Sequence, residues 1–272
     1  SAKARFIDCL RPVARVLDSE QPNPMHEQSL LWGLTALRES DEFSRLGPTM
    51  NRVSIERLAH VHKTPILKQA DLARLTPAEA LRAYYFFAQR HLVAAVGSVP
   101  AASEALYGMA RIEAYRSAQD GLTTSTGSAK ALLLHQAALA VDAENFSAEN
   151  EIGVILARSG RLDESRQVLE HSIRVRPQAE SWHNLAAVYE KLGDLEKAGF
   201  ARRKHEELTQ AHYEGRNGKT PASGTEAALV RWVDAEEFAA GGVDPDCTVA
   251  LRNGISPPVN AARDRHQYPH AP

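Results

Sequence analysis

The sequence predicts an all-α protein: a short helical solenoid with a helical N-terminal cap and an extended C-terminal tail. Three observations carry this. Ala, Leu and Glu recur along 272 residues of which 6% are aromatic, a composition that favours helix. Two central segments repeat with a period of 33 residues, and periods of this size belong to stacked helix pairs. Beyond residue 213 the character changes: residues 211–272 hold 6 Gly and 6 Pro, which does not favour a packed core.

The remaining composition bounds the function. With 43% hydrophobic and 24% charged residues, a chain of this length buries a sizeable core without disulfides or metals. Lys and Arg total 32 against 34 Asp and Glu, so no excess of positive charge points to nucleic acid or an anionic membrane as the partner. The longest apolar stretches, such as Tyr84 to Ala88, are too short for a membrane span. The chain begins at Ser1 without Met, which fits a removed leader or a cloning remnant, so both a cytoplasmic and an exported protein stay open. Cys9 and Cys247 lie near opposite ends with no CxxC pair and no histidine at ligand spacing. Two unpaired thiols are expected, with a disulfide in an oxidising compartment as the alternative and no zinc site.

Residues 1–75 read as the cap. Phe6, Leu10, Val13 and Leu17 mark one helix; Leu30, Leu31, Leu34 and Leu37, with Trp32, mark a second after Pro24. A short third covers Val53–His60, and Pro48 and Pro65 fall in loops.

Residues 76–212 read as helical repeats. Thr76-Pro77-Ala78-Glu79 is a helix start: a capping threonine, a proline at the first helical position and a glutamate completing a capping box. That helix runs to Val96 and stops at Gly97. It is apolar on most sides, so it is expected between other helices and in a hairpin with a helix over 101–118. In that next helix Ala105, Leu106, Met109, Ile112 and Ala114 are assigned to the inner face. Residues 131–142 look like the second helix of the same, degenerate unit. The connection from Asp120 to Ser128 is longer than a turn, and insertions in such arrays often lie on the binding face.

The clearest units are 146–177 and 179–208. Gly160 matches Gly193, Leu162 matches Leu195, Ile152 matches Leu185, Gly153 matches Ala186 and Ser165 matches Ala198. Ile152 with Leu156, and Leu185 with Tyr189, give the first helix of each unit an apolar stripe. The small residue beside the stripe admits the second helix closely. Gly160 and Gly193 supply a left-handed residue that ends the first helix. Asp163, Glu164 and Asp194 place negative charge at the start of the second.

With Trp182, Leu185, Tyr189, Gly193 and Ala198 in one unit, and Ile152, Gly153, Gly160, Leu169 and Pro177 in the other, the chain resembles the tetratricopeptide repeat (TPR) family. It departs from that pattern at Arg202, where the family has an aromatic residue, and at Ser165 and Ser172, where it has alanines. The resemblance implies a concave groove lined by first helices. Asn150, Val154, Ala157 and Arg158 face it in one unit, and His183, Ala187, Glu190 and Lys191 in the next. Some members hold a peptide's terminal carboxylate with Lys and Asn there. Asn150, Arg158 and Lys191 suit such a role, but Val154 and Ala187 stand where that clamp uses amides.

The tail, 213–272, contains one apolar island, near 228–240: Leu229, Val230, Trp232, Val233 and Phe238. It reads either as a short element capping the last repeat or as a docking motif for a partner. Catalytic signatures are missing: there is no GxGxxG, HExxH or GxSxG. Gly218-Lys219-Thr220 lacks the upstream glycine of a phosphate-binding loop, since Tyr213 stands there. His60 and His62 are two apart, which places them on different faces of a helix but on the same face of a strand; exposed or half-buried histidines are commoner than ligands, so no metal site is expected, and no cofactor. Asn145-Phe146-Ser147 matches a glycosylation sequon. The function expected is that of a non-enzymatic interaction protein, a subunit or adaptor of a homo- or hetero-oligomeric assembly that binds protein through the groove and tail. The alternative is a monomeric peptide-binding chaperone or regulator with transient clients.

Overall fold

Ten helices follow one another along the described residues, and no strand occurs among them. They are α1 (Ala2–Ser19), α2 (His26–Leu46), α3 (Arg52–Val61), α4 (Pro77–Val96) and α5 (Pro100–Gln119). Then come α6 (Ser125–Val141), α7 (Phe146–Arg158), α8 (Leu162–Val175), α9 (Ala179–Leu192) and α10 (Leu195–Asn217). This computed structural model describes residues 2–22, 24–46, 52–68, 72, 74–119 and 125–217. The chain separates into two units, 1–225 and 226–272, and everything described lies in the first. The apolar island at Leu229, Trp232, Val233 and Phe238, the Gly218-Lys219-Thr220 segment and Cys247 lie outside the described residues.

The helices associate in antiparallel-type pairs close in sequence: α5 with α6, α7 with α8 and α9 with α10. The expected hairpin between the 77–96 and 101–118 helices is not formed. α4 packs chiefly on α2, and also on α6 and α1. Side-chain size explains the choice. Gly33 of α2 leaves room that Leu92 of α4 fills, since a Cβ there would lie 2.9 Å from Leu92 Cγ. Phe43 of α2 stacks at a tilt on Tyr84 of α4, centroids 5.1 Å apart. Leu106, Met109 and Ala110 of α5 are buried, while Ala114, assigned to its inner face, is exposed. The connection before α6 is shorter than expected, because α6 already begins at Ser125.

The start of α4 is as expected. The Glu79 N–H donates to Thr76 Oγ1, the Glu79 carboxylate accepts from the Thr76 N–H at 2.9 Å, and Pro77 opens the helix. A different device starts α2: Asp18, at the end of α1, accepts the N–H groups of His26 and Glu27 at 2.7 and 2.9 Å. Desolvation opposes its charge, but these backbone donors outweigh it and hold its carboxyl below the usual range. Past α3, the buried Glu39 carboxylate accepts from the Lys63 N–H at 2.6 Å and the Thr64 hydroxyl at 2.5 Å, pinning the turn to α2. His62 falls in this turn, buried, with Nδ1 2.5 Å from the Tyr84 hydroxyl, whereas His60 is exposed.

The two clearest units close in the same way. In α7 the Arg161 N–H reaches the Leu156 carbonyl and the Gly160 N–H the Ala157 carbonyl; in α9 Asp194 and Gly193 do the same to Tyr189 and Glu190. These are two Schellman closures one period apart, with Gly160 at φ 78° and Gly193 at φ 81°. Asp194 then caps α10, accepting the Lys197 N–H at 3.1 Å. Gly153 gives α8 its close approach: a Cβ there would sit 2.6 Å from Leu169 Cγ. The two serines that replace family alanines are fully buried and satisfied. Ser165 donates to the Gly153 carbonyl at 2.7 Å and Ser172 to the Phe146 carbonyl at 2.9 Å, so both tie α8 to α7.

Burial falls into two clusters. One runs from Leu10 through Tyr84, Leu92, Leu106 and Leu134 to Ala148. The other joins Leu169, Ile173, Leu185, Tyr189 and Ala198, with Trp182 packed against it. The second cluster joins α8 of one clear unit to α9 and α10 of the next, so the two units share a core.

Candidate functional site

First helices of successive pairs carry one apolar stripe inward and leave the opposite stripe polar. Along α5, α7 and α9 those polar stripes border a cavity of about 470 Å³. Tyr107 and Arg111 come from α5, Asn150 and Glu151 from α7, and Glu180, His183 and Asn184 from α9, with His205 of α10 beside them.

The lining is held by local bonds. Asn184 Nδ2 donates to Asn150 Oδ1 at 3.1 Å, linking the two units. His205 Nδ1 lies 2.9 Å from the Ala179 carbonyl, and its ring meets that of His183 at 5.2 Å between centroids. Arg111 Nη1 approaches the Tyr107 hydroxyl at 3.5 Å. Phe146, at the start of α7, lies under the Arg176 guanidinium, 5.1 Å from its centroid.

Burial raises the Glu151 carboxyl above its usual range, against the opposing pull of Arg111 and Arg158 and with some help from Glu180. Burial likewise raises the Tyr107 phenol. Below this lining, His135 of α6 is almost fully buried; desolvation, and then the Arg111 charge, push it down to about 4, so its imidazole is neutral at ordinary pH. The arrangement offers one guanidinium, two carboxylates, paired amides and two imidazoles to a ligand. Among the described residues no cluster of His, Cys, Asp or Glu is arranged to hold a metal.

Eight positions were expected to face the groove, and five of them, Asn150, Arg158, His183, Glu190 and Lys191, to bind; Val154, Ala157 and Ala187 do not line the cavity. Asn150 and His183 line the cavity. Arg158, at the C-terminal end of α7, lies outside it and acts on Glu151 through its charge. Glu190 and Lys191 sit exposed in the last turn of α9, and Glu190 is ion-paired with Arg202 of α10. The family's aromatic position is thus used here for a salt link between the helices of one unit.

Tyr107, Arg111, Glu151, Glu180 and Asn184 were not anticipated. Tyr107 and Arg111 belong to the degenerate unit, where the residues assigned to the inner face were apolar or small and the groove positions of the clearer units were not extended. Glu151 and Asn184 sit one position beyond Asn150 and His183, and that adjacency was the available signal. Asn145 of the sequon is 3% exposed; it caps α7 through the Ala148 N–H and donates to Ser103 Oγ at 2.8 Å, so its amide is not presented for modification.

Residues 179–204, α9 and the first half of α10, match the model of the tetratricopeptide repeat. No curated protein matches the chain. Among solved structures, the crystal structure of MamA is similar with a TM-score of 0.36 and 18% identity, over 60% of this chain and 93% of that one. MamA AMB-1 gives 0.32 at 17% identity, over 64% of this chain and 99% of that one. MamA MSR-1 gives 0.33 at 16% identity, over 68% and 98%. No helix among the described residues is long and apolar enough to cross a membrane.

Proposed function

We propose that this chain, a tetratricopeptide repeat protein, is a non-enzymatic subunit or adaptor of a larger assembly, which binds an extended segment of a partner protein along α5, α7 and α9. The observation that carries the reading is the cavity itself. It gathers the polar stripes of three first helices, and its amides, carboxylates and guanidinium suit main-chain and side-chain hydrogen bonds of a peptide. Asn150 and Asn184 are the natural partners for peptide amides. Arg111, Glu151, Glu180 and His183 select charge. Arg158, Glu190 and Lys191 extend the surface beyond the cavity. The apolar island at Leu229, Trp232, Val233 and Phe238 is a second docking element for the same assembly. Binding, not turnover, is the role proposed for every one of these residues.

The experiment is affinity capture of the full chain from its native source, followed by mass spectrometry, beside an Arg111→Glu/Asn150→Ala variant. The reading expects a stoichiometric partner with the unaltered chain and its loss with the variant, at unchanged helical circular dichroism. Recovery of this chain alone, or equal recovery of a partner by both proteins, would overturn it.

A further inference from the structure

A second cavity, of about 490 Å³, lies between α8, α9 and α10, away from the groove lining. Ile173, Trp182, Tyr189 and Phe200 form its apolar wall. Trp182 and Phe200 meet edge to face at 5.8 Å, and Phe200 remains 47% exposed, an unusual degree for a phenylalanine in a well-ordered helix pair. The repeat does not require this. One period earlier the equivalent positions hold Glu149 and Gln167, and that unit folds with them.

The rim is not neutral. Glu170 accepts from the Tyr189 hydroxyl at 2.8 Å and pairs with Arg166 at 3.4 Å. Lys197 is held by Asp194 at 2.7 Å. Arg174 and Arg203 border the cavity with no ion-pair partner among the described residues, against one such carboxylate, Glu196. An apolar wall flanked by two uncommitted guanidiniums is complementary to a carboxylate-bearing segment with a large apolar side chain. Guanidiniums bind carboxylates in two-point fashion, and the apolar anchor excludes water from that contact.

We propose that this cleft docks an acidic segment of a partner protein, its aromatic or leucine side chain against Trp182 and Phe200 and its carboxylates on Arg174 and Arg203. The site is separate from the groove, so its occupation does not depend on Arg111 or Asn150.

The test uses the full chain and a fluorescein-labelled peptide, Glu-Asp-Leu-Phe-Asp-Glu-Leu-Phe, read by fluorescence anisotropy. Binding should weaken roughly tenfold or more in Phe200→Ser and in Arg174→Glu/Arg203→Glu, and stay unchanged in Arg111→Glu. A peptide with lysine at every acidic position should bind the charge-reversed variant and not the unaltered chain. This exchange keeps the test sound should one variant be less stable. The proposal is overturned if the unaltered chain binds both peptides equally, if millimolar acidic peptide does not bind, or if Arg111→Glu abolishes binding. It is also overturned if ultracentrifugation without peptide shows self-association that Phe200→Ser removes, because the occupant is then a second copy.

Discussion

Replacing Gly153 by valine probes the contact on which the central unit rests. A Cβ at this position would lie 2.6 and 2.7 Å from Leu169 Cγ and Cδ2, where ordinary contact begins near 3.4 Å. Leu169 is fully buried, so it has no solvent to swing into. Either α7 and α8 separate or Leu169 leaves its rotamer, and overpacking of this kind costs about 1–3 kcal/mol. Partial exposure of the leucine adds about 1 kcal/mol, while valine's better helix propensity returns about 0.5 kcal/mol. The net expectation is a loss of about 1.5–3.5 kcal/mol. Urea unfolding followed by circular dichroism reads the loss, and hydrogen exchange should place it in α7 and α8. Leu169→Ala alone should cost about 2–5 kcal/mol, but the two changes together should cost less than their sum, because the valine fills the vacated space. A Gly153→Val protein as stable as the unaltered chain, or strictly additive effects, would refute the close-approach argument.

Further expectations concern single groups. Asn145→Ala should cost about 1–3 kcal/mol, because it removes the α7 cap and a buried bond to Ser103, and intact mass from a glycosylating host should show no glycan on Asn145 in the folded protein. His135 should make stability fall in acid: its folded value of about 4 lies below the unfolded 6.5, so the unfolded chain gains the proton first. That contribution is complete above pH 6.5, drains away as pH falls toward 4, and should vanish from the pH profile of unfolding in His135→Leu. A double-mutant cycle on Arg202 and Glu190 should give less than about 1 kcal/mol, since both side chains are largely exposed.

Much of the repeat was legible because its signals are local. The left-handed glycines at 160 and 193 terminate helices through bonds spanning six residues, and the Thr76 capping box spans four; such signals survive in a linear string. The pairing of α2 with α4 was not legible. It depends on Gly33 meeting Leu92 and Phe43 meeting Tyr84, contacts between residues far apart in the chain whose complementarity is of shape rather than period. The Glu39 carboxylate is a similar case: an acidic residue in a helix reads as solvent-facing until the backbone of Lys63 and Thr64 arrives to satisfy it. In the groove, Asn150 and His183, which the family resemblance supplied, lie on the cavity lining. The resemblance did not supply Arg111, Glu151 and Glu180, because a cavity formed by three helices draws on flanking positions of each. Ser165 and Ser172 departed from the family's alanines in sequence, yet their hydroxyls replace apolar contact with bonds to α7 carbonyls.

The most direct test of the binding account is a photo-crosslinking amino acid at His183, which is exposed and lines the groove, with a control at the exposed Glu206 of α10. Irradiation in the native source, with peptide mapping, should attach an extended segment of one partner protein at position 183 and not at 206. Attachment at both positions alike, or at neither, would contradict a partner-binding groove along α5, α7 and α9.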